Sequence, residues 1–279
     1  MPDYFKKILV PLDLSINSES AVKKALELAD EGTVIHLFYV KAAAFSAFAG
    51  VVKRYITAEE ELPGHSVIEK KLEQWKRSIE ETRDDIIVHT CMVEEESVQK
   101  AIEKKATQLA VDLIIIGKNS HHSWFPFFNT VAPGKLAQKT GIGVLTVKPG
   151  AIYNKIQTIV VPITNETVLH KREAIGAICR KFRVKVYLVI FINSNEEVAG
   201  LSSSFSLLQL YKWVRSTHSQ AEYAVLHGNN KARAILNYAE KIGADMLLVQ
   251  PEKETKISWL GAHISDALPA GSKMQVWAV

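Results

Sequence analysis

The sequence predicts an α/β protein built from two tandem units, each a parallel, doubly wound sheet. Three observations carry that prediction. The chain repeats itself, strands alternate with helices inside each copy, and the strands read as near-continuous Ile/Leu/Val runs. Such runs are expected where both faces of a sheet are covered, and strand-helix alternation implies right-handed βαβ units. A length of 279 residues also favours two domains, drawn here at 1–150 and 151–279.

The repeat is direct. Residues 6–40, KKILVPLDLSINSESAVKKALELADEGTVIHLFYV, match 155–192, KIQTIVVPITNETVLHKREAIGAICRKFRVKVYLVIFI. Each has an apolar strand ending in V-P, a polar turn, an amphipathic helix and a second apolar strand. AVDLIIIG (110–117) then matches GADMLLVQ (243–250), and GVLTVK (143–148) matches MQVWAV (274–279). The join PGAIYN (149–154) is short, with Pro149 and Gly150 marking a turn.

In the first half, strands are expected at 7–12, 33–40, 86–92, 111–116 and 143–147, and helices near 18–30, 66–82, 95–108 and 130–139. The first helix groups Val22, Ala25, Leu26 and Ala29 on one face, leaving Lys23, Lys24, Glu27 and Asp30 elsewhere. The second groups Ile68, Leu72, Trp75 and Ile79. The stretch 41–65 is less regular and reads as a short helix or a lid, ended by Pro63-Gly64. Apolar terminal strands are a liability when exposed, so GVLTVK and MQVWAV are expected to face each other across the join. At least two of Trp124, Phe127 and Phe128 are expected to be buried, since a large exposed aromatic patch is uncommon on a monomer.

Composition excludes several classes. The chain is 47% hydrophobic and 23% charged, which suits a soluble globular protein with real cores. A net charge of +4 is dispersed, with no basic stripe for nucleic acid. No apolar run reaches the ~18 residues of a membrane span, and the opening MPDYFKKILVPLD reads as a strand rather than a signal sequence, so a cytoplasmic protein is expected. Cys91 and Cys179 lie far apart and read as buried, reduced thiols. His121-His122 lacks partners at metal-ligand spacing, so no metal is expected. No G-x-S-x-G, HExxH or Walker lysine is present, so the protein is read as non-catalytic.

KKILVPLDLSINSE, then VDLIIIG, then a loop and NTVAPGKLAQKTGIGVLTVK, together resemble the universal stress protein family. The resemblance spans almost the whole chain as two copies. It implies two flavodoxin-like (adenine nucleotide alpha hydrolase-like) domains, each a five-stranded parallel sheet of order 3-2-1-4-5 with helices on both faces. Some members bind ATP. Those that do carry G-x2-G-x9-G-S/T and an aspartate after the first strand.

Carried over by position, Asp13 stands at the aspartate and Gly117 at the first motif glycine. Ser120 takes the second glycine's place, Asn129 the third, and Thr130 is the Ser/Thr. Pro11 and Val131 flank the pattern and complete the candidate set. The loop is one residue shorter than the motif, and Leu14 replaces a frequent glycine. The sheet order reverses between the first and fourth strands, where ligands sit at strand carboxyl ends. Asp13 would accept from an adenine amino group or a ribose hydroxyl, or else close a local turn. Gly117 would take a positive φ and let a ligand approach, or else serve a tight turn. Asn129 and Thr130 would cap a helix, with or without an anion on it. Lys118 is the one firm cation between Gly117 and Thr130.

The second half departs further, with Thr164 at the aspartate, Gln250 at the first glycine, Gly261-Ala262 at the Gly-Ser/Thr step and His263 beside it. Two readings stay open. One is a stress-response protein sensing adenine nucleotide weakly through the first half alone. The other is a non-binding interaction protein with a filled crevice. An intramolecular pseudo-dimer is expected, and a homodimer stays open.

Overall fold

A computed structural model describes residues 5–42, 64–118, 131–163, 168–193, 199–217, 220–251 and 264–279. The first half runs β1 (Lys7–Leu12), α1 (Ile16–Leu28), β2 (Val34–Ala42), α2 (His65–Thr82), β3 (Ile87–Glu95), α3 (Val98–Leu109), β4 (Leu113–Gly117), α4 (Pro133–Thr140) and β5 (Gly143–Val147). A 3₁₀ turn at Pro149–Ala151 leads into the second. That half runs β6 (Thr158–Pro162), α5 (Val168–Lys181), β7 (Lys185–Asn193), α6 (Ala199–Ser216), β8 (Gln220–Gly228), α7 (Lys231–Lys241), β9 (Met246–Val249), α8 (Ile264–Ala267) and β10 (Gln275–Ala278). The aromatic run at 124–128 and most of the irregular 41–65 stretch lie outside the described residues.

The ten strands form one sheet, β3-β2-β1-β4-β5-β10-β9-β6-β7-β8. Each half therefore has the expected order 3-2-1-4-5, and the halves share one sheet instead of keeping two apart. Every pairing is parallel except β5 with β10. There Val144, Leu145 and Thr146 lie opposite Ala278, Trp277 and Val276. The two segments expected to face each other thus hydrogen-bond directly, and neither is left as an edge.

Local packing fixes this seam. Trp277 is buried and tilts against the Phe5 ring, with centroids 6.0 Å apart. A Cβ on Gly143 would stand 2.6 Å from Trp277 Nε1, so glycine makes room for the indole. At the join, the Gly150 N–H donates to the Ala270 carbonyl at 2.9 Å. A Cβ on Gly150 would lie 2.3 Å from the Gly271 carbonyl carbon, so two backbones touch there.

Each sheet face has its own apolar core, and both cores cross the seam. One gathers Ala25 of α1, Leu72 of α2, Ile175 of α5 and Leu210 of α6. The other gathers Ile102 of α3, Leu136 of α4, Ile235 of α7 and Ile264 of α8. The α2 stripe is as expected, with Ile68, Leu72 and Ile79 buried and Trp75 partly so.

Two expectations need correction. In α1, Lys24 is fully buried, where periodicity put it in solvent. Its ammonium meets the Glu27 carboxylate and, at 3.2 Å, the Asn154 carbonyl of the join. Lys181 of α5 reaches the Ala29 carbonyl at 3.0 Å and the Asp30 carboxylate. Periodicity reads the face a helix turns to its sheet; here the second half covers another side of α1. The cysteines form no disulfide and are half-buried, since each sits on an element with one side open.

Candidate functional site

β1 and β4 pair only through Ile8–Leu113 and Leu9–Ile114. Beyond that point β1 follows β2 as far as Leu12–Tyr39, while β4 follows β5 to Gly117–Val147. The strands part at their carboxyl ends, which opens the crevice expected at a topological switch point. Pro11 lies in the parted stretch of β1, where a missing N–H costs no bond to β4.

Asp13 follows β1 directly. Its Oδ1 accepts the Ser15 N–H at 3.0 Å and the hydroxyls of Ser15 and Ser18. Its own N–H donates to Ser18 Oγ at 2.7 Å. Ser15 in turn caps α1 by accepting the Asn17 N–H at 3.1 Å. One carboxylate oxygen is thus committed to the turn that starts the helix. Oδ2 makes no hydrogen bond among the described residues. Below it, burial raises the Tyr39 phenol pKa above its usual range, and the Asp13 charge adds to the shift. Tyr39 escaped the sequence reading because it sits inside the apolar run LFYV. Its polar oxygen was the available signal.

Leu14 holds a left-handed φ of 61°. That conformation costs a non-glycine residue about 1–2 kcal/mol and suits the glycine it replaces. Its side chain compensates in part by packing on the α1-side core.

Gly117 corrects the sequence expectation. It is not among the residues with positive φ. A Cβ there would lie 1.8 Å from the Asn17 carbonyl oxygen. Glycine is required because the first turn of α1 presses on the end of β4. The backbone that approaches closely is the protein's own. Asn17 is itself buried, and its Oδ1 has no hydrogen-bond partner among the described residues.

On the other lip, Ser120, Asn129 and Thr130 lie outside the described residues. The helix they were expected to open begins later, at Pro133, with Ala132 at its cap and no side-chain cap bond. Proline at the first helical position needs no donor and presets φ, so it outcompetes the Asn-Thr pair as the start. The Ala132 N–H donates to Gln99 Oε1 at 3.2 Å, and Pro133 and Gly134 are buried. Val131 is buried, and its carbonyl accepts Lys118 Nζ at 3.1 Å.

The model of the universal stress protein family matches residues 4–148, the stretch that carries this crevice. The chain belongs to the universal stress protein family. Its fold is shared with a universal stress protein from Archaeoglobus fulgidus at a TM-score of 0.66 and 14% identity, covering 100% of this chain and 98% of that one. A putative universal stress protein from Pseudomonas aeruginosa superposes at 0.54 and 14% identity, covering 98% and 92%. The cytoplasmic domain of a prokaryotic cation chloride cotransporter superposes at 0.56 and 9% identity, covering 98% and 94%. Comparison with curated proteins gives no match.

The universal stress protein fold is repeated in the second half, but its switch point differs. β6 pairs with β9 only at Ile159–Met246 and Val160–Leu247, so the same parting recurs, with Pro162 in the place of Pro11. The Tyr39 position is Ile190, which is buried. Where α1 carries Ser20, α5 carries Lys171, buried, with its ammonium on the Pro162 carbonyl. Gln250 follows β9 and is half-buried, while Thr164, Gly261, Ala262 and His263 lie outside the described residues.

These residues fit a nucleotide unevenly. At the nucleoside end Asp13 Oδ2 is an acceptor that suits the hydroxyl and amino donors of an adenine nucleoside, while Asn17 Oδ1 is enclosed beside Gly117. Among the described residues the phosphate end offers little, since the Ala132 N–H donates to Gln99 Oε1 and Lys118 Nζ donates to the Val131 carbonyl. Among the described residues, no group of three or more His, Cys, Asp or Glu could hold a metal ion. No described helix is long and apolar enough to cross a membrane.

Proposed function

We propose that this universal stress protein is a non-catalytic stress-response protein whose first-half crevice takes an adenine nucleotide weakly, held chiefly by its nucleoside end. The observation that carries this is the parting of β1 from β4 beside a carboxylate with one oxygen uncommitted. Residues 1–150 and 151–279 act as two domains of an intramolecular dimer, a reading supported by the β5–β10 pairing. The second half, with Ile190 and Lys171 at its switch point, takes no part in nucleotide binding.

The test is calorimetric titration of the full chain with adenosine, AMP and ATP, beside the Asp13→Asn variant. Asparagine keeps an acceptor for Ser15 and Ser18 and exchanges Oδ2 for a donor. Losing one charge-assisted bond costs about 1.5–3 kcal/mol, a weakening of roughly ten- to a hundredfold. The three ligands are expected to bind within about tenfold of one another. ATP binding far tighter than adenosine would overturn the uneven fit. So would binding that Asp13→Asn leaves unchanged.

A second reading, an interaction protein that binds no nucleotide, is favoured by one observation. Gly117, the clearest motif remnant, is explained by contact with Asn17 alone. Absence of heat and of any thermal shift at about millimolar ligand would select this reading.

A further inference from the structure

Among the described residues, the two outer strands of the sheet are β3 and β8. β3 ends in Glu94 and Glu95, which face Lys41 and Lys104, and charge of this kind blunts an edge. β8, QAEYAVLHG, runs for nine residues without lysine, arginine or proline. Its one carboxylate, Glu222, is paired to Lys185 on the neighbouring strand. Tyr223 and Val225 are 61% and 43% exposed on the face that carries α6. On that helix Phe205 and Leu208 are 64% and 48% exposed.

These residues are contiguous. Tyr211 of α6 meets Tyr223 edge-on, with centroids 5.9 Å apart. Leu208 lies one helical turn before Tyr211, and Val225 is the next residue on the Tyr223 face of β8. Together the four exposed side chains present on the order of 400 Å² of apolar surface, the size of the largest patch on an ordinary monomer, which is often functional.

We propose that β8 is a dimerisation edge that pairs antiparallel with β8 of a second copy, joining two ten-stranded sheets about a two-fold axis. The strand's own sequence identifies the occupant. In a register centred on Ala224, Tyr223 of one copy faces Val225 of the other, twice, and aromatic–β-branched pairs stabilise sheets. Glu222 then faces Leu226. Like charges meet only in a register centred on Glu222 itself. The seam within this chain already joins equivalent strands β5 and β10 in the same antiparallel way. Closure by a two-fold leaves no further β8 edge to propagate.

The experiment is sedimentation velocity on the full chain from about 1 to about 200 µM, the range in which a small interface associates. Wild type is expected to shift from monomer to dimer. Val225→Lys, an exposed position that leaves the core untouched, is expected to weaken association at least about tenfold with an unchanged melting temperature. Ile87→Lys, on the opposite edge, is expected to leave it unaltered. A wild type that stays monomeric throughout overturns the proposal. So does a dimer that survives Val225→Lys, or one that Ile87→Lys disrupts as strongly.

Discussion

Replacing Gly117 with alanine separates two explanations for that glycine. The added Cβ would stand 1.8 Å from the Asn17 carbonyl oxygen, against an ordinary contact of roughly 3.5 Å. Either the first turn of α1 or the end of β4 must therefore move by roughly 1.5 Å. Neither is free to do so. The end of β4 is tied to β5 through the Lys118 N–H on the Val147 carbonyl at 3.0 Å. The start of α1 is tied by the Ser15 cap and by the bonds on Asp13. Overpacking of this kind costs about 1–3 kcal/mol, and a loosened helix cap about 1 more. The expected loss is about 2–4 kcal/mol, read as a fall of about 1–2 M in the urea midpoint by far-ultraviolet circular dichroism. If glycine served only the approach of a ligand, Gly117→Ala would unfold with wild type and lose binding alone. A stability change within about 0.5 kcal/mol would refute the packing explanation.

The buried pair in α1 makes a further prediction. Glu27→Gln leaves the Lys24 ammonium without its counter-charge and is expected to cost about 1–3 kcal/mol in urea unfolding, whereas Lys24→Met is expected to be near neutral; the reverse order would show that the lysine stabilises the fold by its charge. His36 stacks on His89 across β2 and β3, at 5.3 Å between centroids. Burial, then repulsion from His89, Lys105 and Lys7, lowers its pKa to about 4 from 6.5. The unfolded chain therefore binds a proton that the folded one refuses, so stability is fully present above about pH 6.5 and is lost as pH falls toward 4. At 1.36 kcal/mol per unit the ceiling is about 3 kcal/mol, and partial exposure of His36 reduces this to about 1–2. Urea midpoints at neutral pH and near pH 5 are expected to differ accordingly in wild type and to converge in His36→Gln. An unchanged pH slope in that variant would remove His36 as the cause.

Much of the fold was legible because parallel strands buried on both faces write themselves as apolar runs. The repeat then identified GVLTVK and MQVWAV as equivalent strands. Two of the differences share one origin, in that each depends on a contact distant in sequence. Lys24 reads as solvated until the join and α5 are laid against α1. Gly117 reads as a phosphate-loop glycine until Asn17 is placed on it. The start of α4 was a different error. Pro133 in VAPGKL is a first-turn signal that outranks the cap preference of Asn129-Thr130. Asp13 closes the turn before α1, which is one of its two sequence readings. Only coordinates could show that the role occupies a single oxygen.

The two switch points differ in concert, and this bears on function more than any single residue does. Both halves part their first and fourth strands after two paired residues and place a proline in the gap. The scaffold of the crevice is therefore present twice. In the first half a carboxylate stands beside a buried phenol. In the second the phenol's place is taken by Ile190, and the aspartate's by Thr164. A buried hydroxyl without a polar neighbour costs about 1–3 kcal/mol, so losing the carboxylate removes a reason to keep the phenol. The second half instead buries Lys171, whose ammonium donates to the Pro162 carbonyl. The two switch points therefore differ in chemistry, with a carboxylate at the end of β1 in the first half and a buried lysine on α5 in the second. On the function proposed above, that difference assigns the nucleoside site to the first half.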